Sequence, residues 1–173
     1  MTRIGIFQYA ARDESPADRL ERLDAILASQ AMPLDAVVCP ELFLSGYGEA
    51  APFETLAEPV GGPSTIALGR IARRHRVVIV AGYAERVGHR LYNSALCISA
   101  GGDVKANYRK RNIAVGFERD WFLPGEAPVF LKVGRLTAAV LICYDVEFPE
   151  RGRQGGRRVD HRPDCAEARM GIR

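Results

Sequence analysis

Two short apolar runs without alternation, Val77 to Ala81 and Ala138 to Cys143, place the tightest constraint on what this chain can fold into. A strand with one wet face alternates apolar and polar side chains, whereas an unbroken apolar run suits a strand covered on both faces. Helices must therefore lie against the sheet. Ser15 followed by Pro16 reads as an N-cap with proline in the first turn, with Asp18 three residues after the cap and Leu20, Leu23 and Leu27 along one face. A second helix is expected from Pro63-Ser64 to about His75. Residues 3–9 alternate as a half-buried strand, and Asp35 to Cys39 is a short strand ended by Pro40, which delivers Glu41 to a turn. Leu91 to Ser99 and Val104 to Tyr108 flank the hairpin turn Gly101-Gly102-Asp103. Helices and strands interleave through residues 1–150, which indicates an α/β layered domain.

After Glu150 this patterning stops. Residues 151–173 carry four Gly and seven Arg against three acids, a local charge of +4, so the chain's +3 leaves residues 1–150 with 17 bases and 18 acids. The basicity belongs to the tail, and residues 1–150 show no reason to seek an acidic partner. At 173 residues the chain can bury roughly 70% of its unfolded surface, enough for a core without disulfide or metal. Cys39, Cys97, Cys143 and Cys165 form no CxxC pair and no Cys/His zinc spacing, and no secretory signal precedes them. No apolar run approaches the ~20 residues of a membrane-spanning helix. The expectation is a cytoplasmic protein with reduced thiols, no metal and no cofactor, and no membrane or nucleic-acid partner.

Three segments place a reactive side chain at or just past a strand end, where open α/β sheets collect ligands. They are Pro40 to Tyr47 with Glu41, Tyr108 to Ile113 with Lys110, and Leu141 to Glu150 with Cys143. Taken singly, each has an ordinary reading. Cys143 could be a small buried hydrophobe like Cys39, Glu41 a solvated turn carboxylate, and Lys110 part of a solvated Arg-Lys-Arg edge. Other nucleophile systems fail on inventory. A Cys/His pair would have to use His75, His89 or His161, at a helix end, in a turn and in the tail, and no G-x-S-x-G elbow is present. Gly61-Gly62-Pro63-Ser64 lacks the Gly-Lys-Ser/Thr of a phosphate cradle.

Together the three segments resemble the nitrilase family of carbon-nitrogen hydrolases, whose members carry Glu, Lys and Cys in that chain order. PELFLSGY resembles the glutamate motif, YRK the lysine motif and ICYDVEFPE the cysteine motif. In the intervening GFERDWFLPGE, Glu118 matches an additional active-site glutamate. The resemblance spans residues 3 to about 150. It implies a four-layer αββα sandwich in which Glu41 is the general base, Cys143 the nucleophile and Lys110 an oxyanion donor, with Glu118 and Tyr144 supporting or touching the substrate. The implied substrate is a small amide, with a nitrile second, and the full family fold is expected to form a homo-oligomer.

The sequence departs from the family twice. Asn112 stands where many members have His. The tail shows none of the helix and Val-Pro-Thr-Ala-like strand that follow the cysteine motif, so the fold is expected to be incomplete at its C-terminus. The expected cause is a shifted reading frame near Glu150, because Val159 to Ala166 read one base later admits Ser-Thr-Ile-Val-Pro-Thr-Ala. An inactive fragment, or an interaction protein with an Arg/Gly nucleic-acid-binding tail, are the alternatives.

Overall fold

Ser15 and Asp18 start the first helix as a reciprocal pair. The Asp18 N–H donates to Ser15 Oγ at 3.2 Å and the Ser15 N–H to Asp18 Oδ2 at 3.1 Å, at the head of α1 (Pro16–Ala28). Leu20, Leu23 and Leu27 are buried along its inner face. The computed structural model describes residues 1–8, 10, 13–148 and the backbone of 168–170. In it β1 (Ile4–Ile6) pairs in parallel with β2 (Ala36–Val38), and β2 with β3 (Val78–Val87). The chain then turns back on itself through β4 (Arg90–Ile98) and β5 (Val104–Arg109), both antiparallel, so one five-stranded sheet runs in chain order.

The expected second helix is α3 (Pro63–His75), preceded by a single turn, α2 (Phe53–Leu56). After β5 come the short helix α4 (Phe117–Trp121) and a hairpin of β6 (Val129–Val133) and β7 (Leu136–Ile142). A 3₁₀ turn over Cys143–Glu147 follows directly. The first sheet is covered on both faces. Leu23 of α1 and Leu68 and Ile71 of α3 pack on Val37, Ile79, Leu96 and Ile98. On the opposite face Val38, Val80, Ala95 and Tyr108 meet Leu131, Val133, Val140 and Ile142 of the second sheet. Helix, sheet and sheet are thus three of the four expected layers.

β3 is buried on both faces, as its unbroken run predicts, but β7 is not. Ala138, Val140 and Ile142 are buried against the first sheet, whereas Ala139 and Leu141 are only partly covered. Among the described residues no helix layer lies over that outer face, so an unbroken apolar run here coexists with one-sided burial. Within the tail, whose sequence has no period, Ala168–Met170 pair in parallel with β7 as β8. The open N–H and C=O groups of an edge strand will accept any extended segment, which explains pairing without a sequence signal. The rest of the tail, with His161, Cys165 and the frame-shift reading, lies outside the described residues. No helix among the described residues is long and apolar enough to cross a membrane.

Candidate active site

Pro40, the end of β5 and the end of β7 deliver their three side chains to one place. Lys110 Nζ donates to Glu41 Oε1 at 2.7 Å and to both carboxylate oxygens of Glu118 at 2.8 Å. Lys110 and Glu118 are 0% and 1% exposed, which rules out a solvated Arg-Lys-Arg edge. Half-buried Cys143 joins them, close enough to the Glu41 carboxyl for that group to push its thiol pKa up. The sequence motifs are therefore brought together: Glu41, Lys110 and Cys143, with Glu118 from the first turn of α4. Tyr144 is set differently, with its ring edge-on to Phe148 and 37% exposed.

Two carboxylates share one ammonium here, and burial sets the electrostatics. Burial pushes the Glu41 carboxyl above the ordinary carboxylate range; the Glu118 charge adds to this, while Lys110 and a hydrogen bond from Asn93 oppose it. Burial works against the Lys110 ammonium too, but the two carboxylates outweigh it and hold its pKa above the usual lysine value. The Cys143 thiol is pushed up by burial and then by the Glu41 charge. A thiol so placed is protonated at neutral pH and needs a base to become a nucleophile.

Local backbone features create this convergence. Cys143 has φ 45°, the left-handed region, costing roughly 1–3 kcal/mol for a residue with a Cβ. Leu42 has φ 51° immediately after Glu41 and is fully buried. The loop carrying Glu41 runs so close over β3 that a Cβ on Gly82 would lie 2.5 Å from both the Leu42 nitrogen and the Pro40 oxygen. Only glycine lets the loop sit there. Arg19 of α1 holds the same loop by donating to the Phe43 carbonyl at 3.1 Å. On the far face of β5, Arg109 is locked to buried Glu85 by bonds of 2.8 and 2.6 Å and lies over the Tyr92 ring at 4.2 Å. With Arg109 pinned outward, strand alternation sends Lys110 inward.

Asp145, two residues past Cys143, is a site residue that sequence reasoning missed. Its carboxylate accepts from Tyr108 Oη at 2.7 Å, the Asn112 N–H at 2.8 Å, the Ile142 N–H at 3.1 Å and the Arg111 N–H at 3.2 Å. It ties the cysteine turn to the segment flanking Lys110. Asn112 contributes its amide at 3.0 Å to the same carboxylate. Asp145→Ala leaves several buried donors without an acceptor, each costing about 1–3 kcal/mol, so a loss of at least ~3 kcal/mol in unfolding free energy is expected. A urea midpoint matching the unaltered chain would show that the carboxylate is not a structural tie.

Asn93 was missed as well, though an Asn amid the apolar strand Leu91–Ile98 is a signal in itself. It is fully buried and donates from Nδ2 to Glu41 Oε1 at 2.7 Å. Tyr47, the last residue of the glutamate segment, packs edge-on against Phe117, and its phenol is pushed up by burial and by the charges of Glu41, Glu118 and Cys143. Other candidates resolve into structure. Cys39 lies in the core with its pKa driven up by burial, and Cys97 is likewise pushed up to about 12. His75 pairs with Asp24 at 2.7 Å, between α3 and α1. The head of α3 already holds a carboxylate, since Glu58 accepts from the Ser64 N–H and hydroxyl at 2.8 and 2.7 Å.

A family model described as carbon-nitrogen hydrolase matches residues 3–157. The hydrolase in the pqqF 5'region of Pseudomonas protegens is 36% identical over 157 residues, covering 88% of this chain and 54% of that protein. An (R)-stereoselective amidase from Pseudomonas sp. is 34% identical over 151 residues, covering 87% and 54%. The amidase from Nesterenkonia sp. AN1 superposes with a TM-score of 0.75 at 27% identity, over 87% of this chain and 60% of that one. Structures of that amidase include one with acrylamide added to its active-site cysteine and a Cys-to-Ala form in complex with butyramide. The chain spans about half the length of the curated relatives it matches.

Proposed function

The chain belongs to the carbon-nitrogen hydrolase family, and from that premise we propose that it hydrolyses the carbon–nitrogen bond of a small amide through Cys143. One observation carries this reading: a buried ammonium held between two carboxylates, beside a thiol on which one of those carboxylates acts directly. Glu41 takes the thiol proton as Sγ bonds to the amide carbon, and a tetrahedral oxyanion forms. Lys110 and the backbone N–H after Cys143 hold that oxygen, a contribution of roughly 10²–10³-fold per donor. The proton on Glu41 passes to the nitrogen, the C–N bond breaks, and ammonia or an amine leaves a thioester on Cys143. Water then attacks the thioester carbon, giving a proton to Glu41; as the C–S bond breaks, Glu41 returns that proton to Sγ, restoring the thiol and releasing the carboxylic acid, which ionises in water. A positioned acid/base of this kind is worth roughly 10²–10⁴-fold.

Glu118 holds Lys110 in place, and Tyr144 lies next to the nucleophile as a contact for the acyl group. An amide is preferred over a nitrile because the similar proteins include an (R)-stereoselective amidase and an amidase that binds butyramide as a Cys-to-Ala form. A second reading, an inactive part of such an enzyme, is favoured by the half-length match and by the partly covered outer face of β7. Ammonia release from butyramide by the purified chain separates them: release lost in Cys143→Ala supports the enzyme, and none above that control leaves the fragment.

The pH dependence follows from Glu41. Its raised pKa means that the base is lost as pH falls through a value above the ordinary ~4.3 of glutamate, so the acid limb of kcat/KM lies higher than that. Lys110, held protonated by its neighbours, does not limit activity on the alkaline side near neutrality. An acid limb at or below 4.3 would contradict Glu41 as the base.

A further inference from the structure

We propose that Asn93 is a positioning residue that dictates which oxygen of Glu41 exchanges protons with Cys143. Asn93 sits across from Ala84 on β3, and its carbonyl accepts the Lys110 N–H at 2.8 Å, so its backbone is locked to the strand carrying the ammonium. Its side-chain Nδ2 and Lys110 Nζ both donate to Glu41 Oε1, each at 2.7 Å. Two donors on Oε1 occupy its lone pairs and leave Oε2 as the oxygen that receives the thiol proton. Both bonds survive protonation at Oε2, because Oε1 then becomes the carbonyl oxygen of the acid and still accepts. Glu41 can therefore take a proton from sulfur and return one to nitrogen without rotating.

The orientation of the amide is fixed by chemistry. A reversed Asn93 would set its oxygen against a carboxylate oxygen, so Nδ2 must face Glu41. The consequence is visible on the other side of the amide, where buried Oδ1 has no hydrogen-bond partner among the described residues.

This inference rests on Glu41 serving Cys143 as base, and its test needs no amide turnover. The rate of Cys143 alkylation by iodoacetamide is measured across pH, resolved from Cys39, Cys97 and Cys165 by peptide mass, in the unaltered chain, Asn93→Ala and the similarly shaped Asn93→Leu. Loss of a hydrogen bond to a charged acceptor raises the Glu41 pKa, so the acid limb moves up by about one pH unit and alkylation below it slows about tenfold. Asn93→Leu keeps nearly the same shape and removes the donor without adding an ionisable group beside Glu41, so it reports even if the alanine variant does not fold. Alkylation profiles of the leucine variant that overlay those of the unaltered chain would overturn the proposal. Failure of the amidase reading shows separately, as absence of ammonia release from butyramide while the alkylation profiles still differ.

Discussion

Replacing Lys110 with methionine is expected to abolish turnover and weaken the fold together. The ammonium is the shared counterion of Glu41 and Glu118, and it is fully buried. Removing one partner from a buried ionic group typically costs about 3–5 kcal/mol, because the remaining charge is left in a poorly polarisable site. For a domain of this size that corresponds to a fall of roughly 10 °C in Tm. The penalty has a pH signature. Without Lys110 the Glu41 carboxyl has a folded-state pKa raised further above its unfolded one, so the deficit is greatest above that raised value and shrinks as pH falls toward the ordinary ~4.3. Melting curves at pH 8 and pH 5 check this. Turnover fails for a second reason, since a protonated Glu41 is no base and the oxyanion loses a donor. A methionine variant that melts like the unaltered chain at both pH values would contradict the ionic account of the site.

Cys143→Ala is expected to behave in the opposite way, leaving the fold intact and eliminating chemistry. The side chain is only partly buried, and alanine keeps the Cβ already accommodated at φ 45°. Without the sulfur no thioester forms, so hydrolysis falls by at least ~10³-fold. Removing the thiol also removes a proton donor to Glu41, not a counterion, so stability shifts by less than about 1 kcal/mol. A variant with measurable ammonia release would place the nucleophile elsewhere, and one that fails to fold would give Cys143 a structural part that its exposure does not suggest.

Sequence reasoning reached what is encoded locally. Ser15, Pro16 and Asp18 lie within one turn of helix, so the capping box could be read off the chain, and Gly101-Gly102-Asp103 marked its hairpin in the same way. The ordered motifs around Glu41, Lys110 and Cys143 carried the site. Short elements were not visible: α2 and α4 have four and five residues, too few for a helical period, and β6 is a five-residue strand. The outer face of β7 was misjudged because an apolar run specifies what a strand tolerates, not which layers are present. Asp145 and Asn93 escaped because their partners lie 37 and 52 residues away, and only the fold decides which carboxylate meets which donor.

The central claim is that Cys143 carries the acyl group of an amide while Glu41 moves the proton. Intact-mass measurement on the chain quenched during incubation with butyramide tests it most directly. The account predicts a species heavier by one butyryl group, localised to Cys143 by peptide mapping, released by hydroxylamine and missing from Cys143→Ala. An adduct on another residue, or ammonia release at steady state with no acyl group on Cys143 at any quench time and rates unchanged in Cys143→Ala, would contradict it.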